Sequence, residues 1–553
     1  MNFRPSYPQF RQVPEVVFQP RTYRGMQRGI NTIVAAVRPT LGPQPRNVAI
    51  QPVAFKEAPE LLDNAAVITR RIVELPDGDA NAGAMLLRGM LWSLYERVGD
   101  GTATAAVLYQ SIFNQGLKYI VAGGNAMILR QYLEEGLELV LEALEGQTVP
   151  VSGQDSLAGV ARTVCYDPQM AEALGKIFDV IGEFGILEIR AGRRRDVVYE
   201  YIEGSYWSGG LHTAELITDI PNQRTRCEQP AILLSDLELN DPNALVPVLQ
   251  ATVENGFKTL VIVSSKVSEA VKSIMLRSRG SDKLQVIGVK TPGSRSDQQM
   301  AALDDLAVLT GGRPLYASAG DTLESFTPQH FGSARRLWAS REHLGLVRGQ
   351  GDPRRLRQHV AQLRKAYAGL KKAEDRHQLQ ERIGRLLGAS AAIDVGGVTE
   401  SEVEVRKELA RRTADTLRGA VRQGVLPGGG SALLACRPAL QTRLAQASRS
   451  EERAAYRILL TSLEVPYRTI LENAGYDPSA LAAQLEQAGP GFGFDVLSGQ
   501  VVEMLPAGIL DVAAVQIDAV FSAVRSAALA LTIDTLVHRK KPPVASSPDG
   551  IDF

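Results

Sequence analysis

Only three cysteines and six histidines occur in 553 residues. Cys165, Cys227 and Cys436 stand far apart, form no CxxC pair and offer no disulfide framework. That excludes a zinc knuckle and a stapled secreted scaffold, and it fits a reducing compartment. Neither the histidines nor the cysteines show metal-ligand or triad-like spacing, so a metabolic enzyme built on such a site is not indicated. Net charge is also missing: 61 Lys and Arg balance 61 Asp and Glu, leaving no global field to recruit nucleic acid or an acidic membrane surface. Long apolar runs are lacking too. The most apolar late stretch, Phe521 to Val537, is interrupted by Arg525 and Asp534 and is too short to span a bilayer. Met1 to Pro20 carries proline and arginine where a secretory signal would carry an apolar segment. No repeat at solenoid spacing is present, and no GxGxxG follows a strand pattern. These absences predict a soluble, cytoplasmic protein with no nucleic-acid and no membrane partner.

What is present exceeds a single core. A chain of 553 residues, 44% hydrophobic and 22% charged, predicts a globular protein of two to four domains. Helical spacing of apolar residues marks Gly25–Val37, Ala126–Leu144, Ala410–Val421 and Arg453–Glu472. The middle differs: strand patterns at 231–234, 259–263 and 284–289 alternate with helical ones at 242–255, 267–279 and 297–309, which predicts a parallel sheet with right-handed crossovers. Residues 353–387 read as a solvated helical hairpin broken near Ala373-Glu374-Asp375, with Arg354-Arg355-Leu356-Arg357 as one exposed face. The tail after Lys541 reads as disordered.

Two runs carry chemistry. Val98-Gly99-Asp100-Gly101-Thr102-Ala103-Thr104 and Thr40-Leu41-Gly42-Pro43 set small residues, hydroxyls and one carboxylate beside helical patterns. Amides at such a helix start can wrap phosphate, and Asp100 can hold magnesium. Taken singly, each run is equally an ordinary cap or turn.

With these runs, the chain resembles the group I (GroEL-like) chaperonins from about Arg21 to Lys541, as a divergent member. The further matches are Arg46-Asn47-Val48, Lys290-Thr291-Pro292-Gly293, Leu309-Thr310-Gly311-Gly312, Leu379-Gln380-Glu381-Arg382, Pro427-Gly428-Gly429-Gly430 and Gly508-Ile509-Leu510-Asp511. The resemblance implies an α+β multidomain, three-layer architecture. A helical equatorial domain would come from both termini (1–146 and 423–541), a small intermediate domain from 147–203 and 390–422, and an α/β apical domain from 204–389, with a disordered tail at 542–553. It also implies a ring, homo-oligomeric or mixed, that binds ATP and Mg2+, takes non-native polypeptides and accepts a lid cochaperonin.

Carried over by position, Thr40, Leu41, Gly42 and Pro43 would lie along the phosphates, and Asp100 would bind magnesium. Gly101, Thr102, Ala103 and Thr104 would surround the phosphate oxygens; Ala103 replaces a usual hydroxyl and so loses one hydrogen bond worth ~1.5–3 kcal/mol. Gly429 would let the backbone approach, Asp511 would face the ribose, and Asp495, Val496 and Leu497 would lie near the base. The catalytic positions depart. The second magnesium-site carboxylate falls on Asn64, unless a one-residue slip restores Asp63. The aspartate that orients attacking water falls on Arg412, a cation that accepts no proton. Asp415 and Glu408 flank it by about one turn, ~5 Å, and Glu408 is its expected ion-pair partner. The polypeptide face would comprise Val246, Leu249, Val271, Met275 and Leu276, together with Leu211 and Leu216 of the preceding loop. Leu211, Glu215 and Leu216 take positions where aromatics are expected after Glu203-Gly204. Three readings remain at this point: a nucleotide-binding ring with weakened hydrolysis, an active foldase using Asp63 and Asp415, and a scaffold indifferent to nucleotide.

Overall fold

The computed structural model describes residues 15–43, 45–51, 59–165, 167–192, 195–202, 204–279, 281, 283–370 and 372–538. The expected tail at 542–553, most of the Met1–Pro20 segment and Glu203 lie outside the described residues. The chain divides into two compact units. One draws on both ends, bounded by Met1–Ser152, Gly159–Tyr166 and Asp415–Phe553; the other takes Gly153–Ala158 and Asp167–Ala414.

The two-ended unit is helical. Arg21–Val37 buries Met26, Ile30, Ile33, Val34 and Val37 along one stripe. That stripe packs on Gly78–Val98, and Gly29 sets the approach: a methyl there would come within 1.7 Å of the Ala80 carbonyl oxygen. Ala513–Ala530 is long and apolar enough to cross a membrane by length and composition, but 67% of it is buried inside the protein. Its alanines at 514, 519, 523, 527 and 528 let neighbouring helices close in, which makes it a core helix. The expected single helix over 453–472 is instead Ser450–Leu463 followed by Val465–Asn473. Pro466 lacks the N–H that a continuous helix would need there and sits in the first turn of the second helix. The late apolar stretch also divides: the helix ends at Ala530, and Leu536–His538 pairs antiparallel with Glu15–Val17.

In the second unit the three expected strands form as Ala231–Leu234, Thr259–Ser264 and Gln285–Lys290, paired in parallel with the middle one central. The sheet does not stop there. Phe331–Ser340, His343–Gly349, Ser205–Ser208 and Arg224–Glu228 extend it antiparallel, giving a mixed seven-stranded sheet. A separate three-stranded sheet joins Ile186–Ala191, Ser390–Val395 and Val197–Ile202.

The hairpin helices are Pro353–Gly369 and Ala373–Leu387, and they are not merely solvated. They bury Val360, Leu363, Ile383 and Leu386 and close over Asp305, which is 1% exposed. Arg382 reaches both oxygens of Asp305 at 2.8 and 2.9 Å, and His359 Nε2 lies 2.8 Å away. A carboxylate that deep is sustained only by such partners.

Candidate functional site

Gly99-Asp100-Gly101 turns the chain between two long helices of the first unit, Gly78–Val98 and Thr102–Val121. Gly99 and Gly101 hold φ of 73° and 78°, a left-handed conformation that glycine takes freely. A side chain on Gly101 would also meet Val515 Cγ1 at 2.6 Å. No side chain caps the 20-residue helix that follows. Its first amides and its positive dipole end are therefore offered beside Asp100. Thr102 and Thr104 are buried there.

The second run closes a turn at Arg38–Thr40, where Thr40 Oγ1 donates to the Val37 carbonyl at 2.8 Å. Asn473 Nδ2 donates to the carbonyls of Arg38 (2.9 Å) and Leu41 (2.8 Å) and so fixes the path of the loop. Sequence reading did not single out Asn473, because its partners lie more than 400 residues earlier.

A short ribbon, Val425–Pro427 with Leu510–Val512, sets Asp511 opposite Leu426, just before the glycine run. Gly429 keeps a φ of 65°. Burial pushes the Asp511 carboxyl up to about 7, and the charge of Asp100 adds to the rise. Gln516 Nε2, 3.0 Å from Oδ2, and the Gly430 amide oppose it. Two acids from opposite ends of the chain thus sense one another beside an uncapped helix start. Such a pocket favours a cation between the carboxyls and an anion on the amides. Among the described residues no group of three or more His, Cys, Asp or Glu side chains could hold a metal ion. A magnesium ion here would complete its shell with phosphate and water oxygens, as that ion usually does. The residues present fit Mg-nucleotide.

The hairpin of Phe492–Asp495 and Gln500–Glu503 carries the remaining sequence-predicted contacts. Asp495 accepts the Leu497 amide at 2.9 Å and the Ser498 amide at 3.2 Å, forming the turn. Val496 is buried with Tyr467, Leu471 and Phe494, whereas Leu497 is exposed.

Asn64 caps Ala65–Arg71, its Oδ1 accepting from Ala66 and Val67 at 3.0 and 3.2 Å; Asp63 beside it is half-buried. Arg412 lies half-buried within Glu400–Gln423. Glu408 pairs with Arg411 at 3.5 Å, and Asp415 pairs with Arg418 at 2.8 Å.

Of the expected polypeptide face, part is interior. Val271 and Met275 are fully buried, and Leu211 and Leu216 nearly so. The Glu269–Arg277 helix presses Met275 against Gly288, where a methyl would lie 2.6 Å from Sδ, and Leu211 bridges to Val289 at the edge of the sheet. Those four are corrected from contact residues to core. Val246 is exposed, and Leu249 and Leu276 are partly so.

Comparison with solved structures gives the chaperonin gp146 from the bacteriophage EL 2 (Pseudomonas aeruginosa), determined in the presence of ATP-BeFx. One crystal form matches with a TM-score of 0.68 at 18% identity, covering 95% of this chain and 99% of that one. A second form matches with 0.61 at 17% identity over the same shares. These likenesses establish a chaperonin fold. The sequence profile of the TCP-1/cpn60 chaperonin family matches residues 33–541, and the chain therefore belongs to the TCP-1/cpn60 chaperonin family.

Proposed function

We propose that this chain is a subunit of a group I-like chaperonin ring that binds Mg-ATP in the two-ended unit and non-native polypeptide on the apical unit, with ATP hydrolysis weakened. One observation carries the nucleotide reading: Asp100 and Asp511 approach one another beside the uncapped start of Thr102–Val121. Asp100 would hold the ion, which when bound supplies charge neutralisation for the phosphates. The amides from Thr102 to Thr104 and the Thr40–Pro43 loop would bind the phosphate oxygens, and Gly429 would admit them without a clash.

Weakened turnover rests on what the catalytic positions hold. Arg412 cannot take a proton from water at neutral pH, and losing a positioned base costs ~10²–10⁴-fold in rate. Asn64, at the second carboxylate position, serves a helix cap, and the two acids that flank Arg412 are paired with other arginines, Asp415 with Arg418 and Glu408 with Arg411. On the polypeptide side, Val246, Leu249 and Leu276 remain as apolar contacts.

Phosphate release by purified protein tests the reading. Turnover should be slow, should vanish in Asp100→Ala and should be insensitive to Asp415→Ala. Rapid turnover abolished by Asp415→Ala would replace it with an active foldase. A melting temperature unmoved by Mg-ATP would favour a scaffold, because a ligand selective for the folded state must stabilise that state.

A further inference from the structure

The helix Pro353–Gly369 turns Val360 and Leu363 into the core of its unit, and Leu356 and Tyr367 pack partly buried against that core. Its other side holds no acid. Arg354, Arg355, Arg357, Arg364 and Lys365 are all exposed there, with glutamines between them. Among the described residues, none of these five cations pairs with an acid. Asp352 precedes them, and its carboxylate accepts the Arg354 main-chain N–H at 2.8 Å. The fold does not require this charge. Acids favour the start of a helix, where the dipole is positive; here Arg354 and Arg355 stand in the first turn and no acid does. Arg354 and Arg357, three residues apart, repel one another as well. Glutamine would hold the same exposed places without either penalty, so the cations answer to something outside the helix.

We propose that the outer side of Pro353–Gly369 is a docking surface for an acidic helical segment of a partner polypeptide. Charge and length decide the occupant. From Arg354 to Lys365 the helix runs about 16 Å. A helix with glutamate on every turn lays about three or four carboxylates along that length, which matches the cations turn for turn. A nucleic-acid duplex presents about ten charges over the same distance, far more than this side can neutralise. A single strand calls for aromatic rings on which to stack. The one aromatic of the helix, Tyr367, is already engaged, with Phe184 at 5.5 Å between ring centres and with the Arg376 guanidinium at 5.0 Å. Arginine, four of the five cations, also grips carboxylate through two parallel N–H donors. This surface lies on a different helix from Val246, Leu249 and Leu276, and it does not depend on the nucleotide reading.

The test is fluorescence anisotropy on the full chain with a labelled helical peptide that carries glutamate on every turn of one side. The same peptide with glutamine in place of glutamate, and a labelled duplex oligonucleotide, are the comparisons. Wild type should bind the acidic peptide, more weakly as salt screens the contact, and should discriminate against the glutamine peptide. Joint substitution Arg354→Gln, Arg357→Gln and Lys365→Gln should cost roughly tenfold in affinity, since exposed ion pairs are individually weak and three are removed. Removing three exposed cations elsewhere, by Lys118→Gln, Lys258→Gln and Arg443→Gln, should leave binding unchanged. No binding of the acidic peptide, equal binding of its glutamine counterpart, or equal loss in the two triple variants overturns the proposal. Tighter binding of the oligonucleotide, lost in the first variant, overturns it in favour of nucleic acid. Should the first variant fail to fold, Arg354→Gln and Lys365→Gln made singly must each weaken binding roughly two- to threefold.

Discussion

Replacing Asp511 by asparagine removes a charge that the fold holds at a disadvantage. The native carboxyl titrates near 7 against a reference of 3.8, because burial and Asp100 both disfavour its ionised form. Between those two values the folded chain binds a proton that the unfolded chain has released. Stability therefore falls as pH rises through that window and is level above it. The full difference corresponds to roughly 4 kcal/mol, and the partial exposure of Asp511 reduces it to about 2 kcal/mol by solvent screening. An asparagine in its place keeps an acceptor for the Gly430 amide and carries no charge. The variant should consequently match wild type near pH 4 and exceed it in urea resistance by about 2 kcal/mol at pH 8.5. Urea unfolding of the pair at matched pH reads this directly, since all other titrations cancel in the difference. Saturating magnesium should narrow the gap at high pH by stabilising wild type. A difference that is constant with pH, or one that grows toward acid, refutes the burial of an ionisable carboxyl at this position.

Further outcomes follow from other contacts. Arg382→Ala strips the bidentate partner from a carboxylate that is 1% exposed; it should cost ~3–5 kcal/mol in the second unit, measured by chemical denaturation. Asn64→Ala should cost ~1 kcal/mol through loss of the cap, while Asn64→Asp keeps the cap and, if that position serves the metal, raises phosphate release. Val246→Asp, at an exposed position, should weaken capture of a chemically denatured reporter enzyme with an unchanged melting temperature. Val271→Asp, fully buried, should instead unfold the seven-stranded sheet, as read by circular dichroism.

Periodicity reached as far as the apolar pattern is one-sided and local. The helix at Ala126–Glu145 and the three parallel strands were legible because each buries a continuous stripe or run. Phe331–Ser340 was not, since it alternates buried Ala334, Leu337 and Ala339 with Arg335, Arg336 and Trp338 and so shows no apolar run. Its partners lie about 100 residues away in sequence, at Ala231–Leu234 and Arg224–Glu228. The site divides the same way. Glycine runs announce a backbone that needs positive φ, and both the Gly99-Asp100-Gly101 and the Gly428–Gly430 segments use it. The side chains that finish the pocket, Asn473 on Leu41 and Gln516 on Asp511, carry no local signature: an amide at a helix end or start is unremarkable until the fold supplies its partner. Burial on the helices that flank the seven-stranded sheet was illegible for a related reason. Val271 and Leu276 share a helix and a chemistry, and only the sheet beneath decides which of them faces inward.

The same division separates nucleotide binding from hydrolysis on the proposed reading. Thr40–Pro43, Asp100–Thr104, Gly429 and Asp511 all belong to the two-ended unit, whereas Arg412 belongs to the other. The fixed contacts of the pocket are therefore made within one unit and do not depend on the residue at 412. A cation at that position can remove the proton acceptor for attacking water and leave the glycine turns, the helix start and the carboxyl pair as they are. On that reading a substitution at 412 is expected to change phosphate release and to leave nucleotide affinity as it is, because the residues proposed to hold the nucleotide all belong to the two-ended unit.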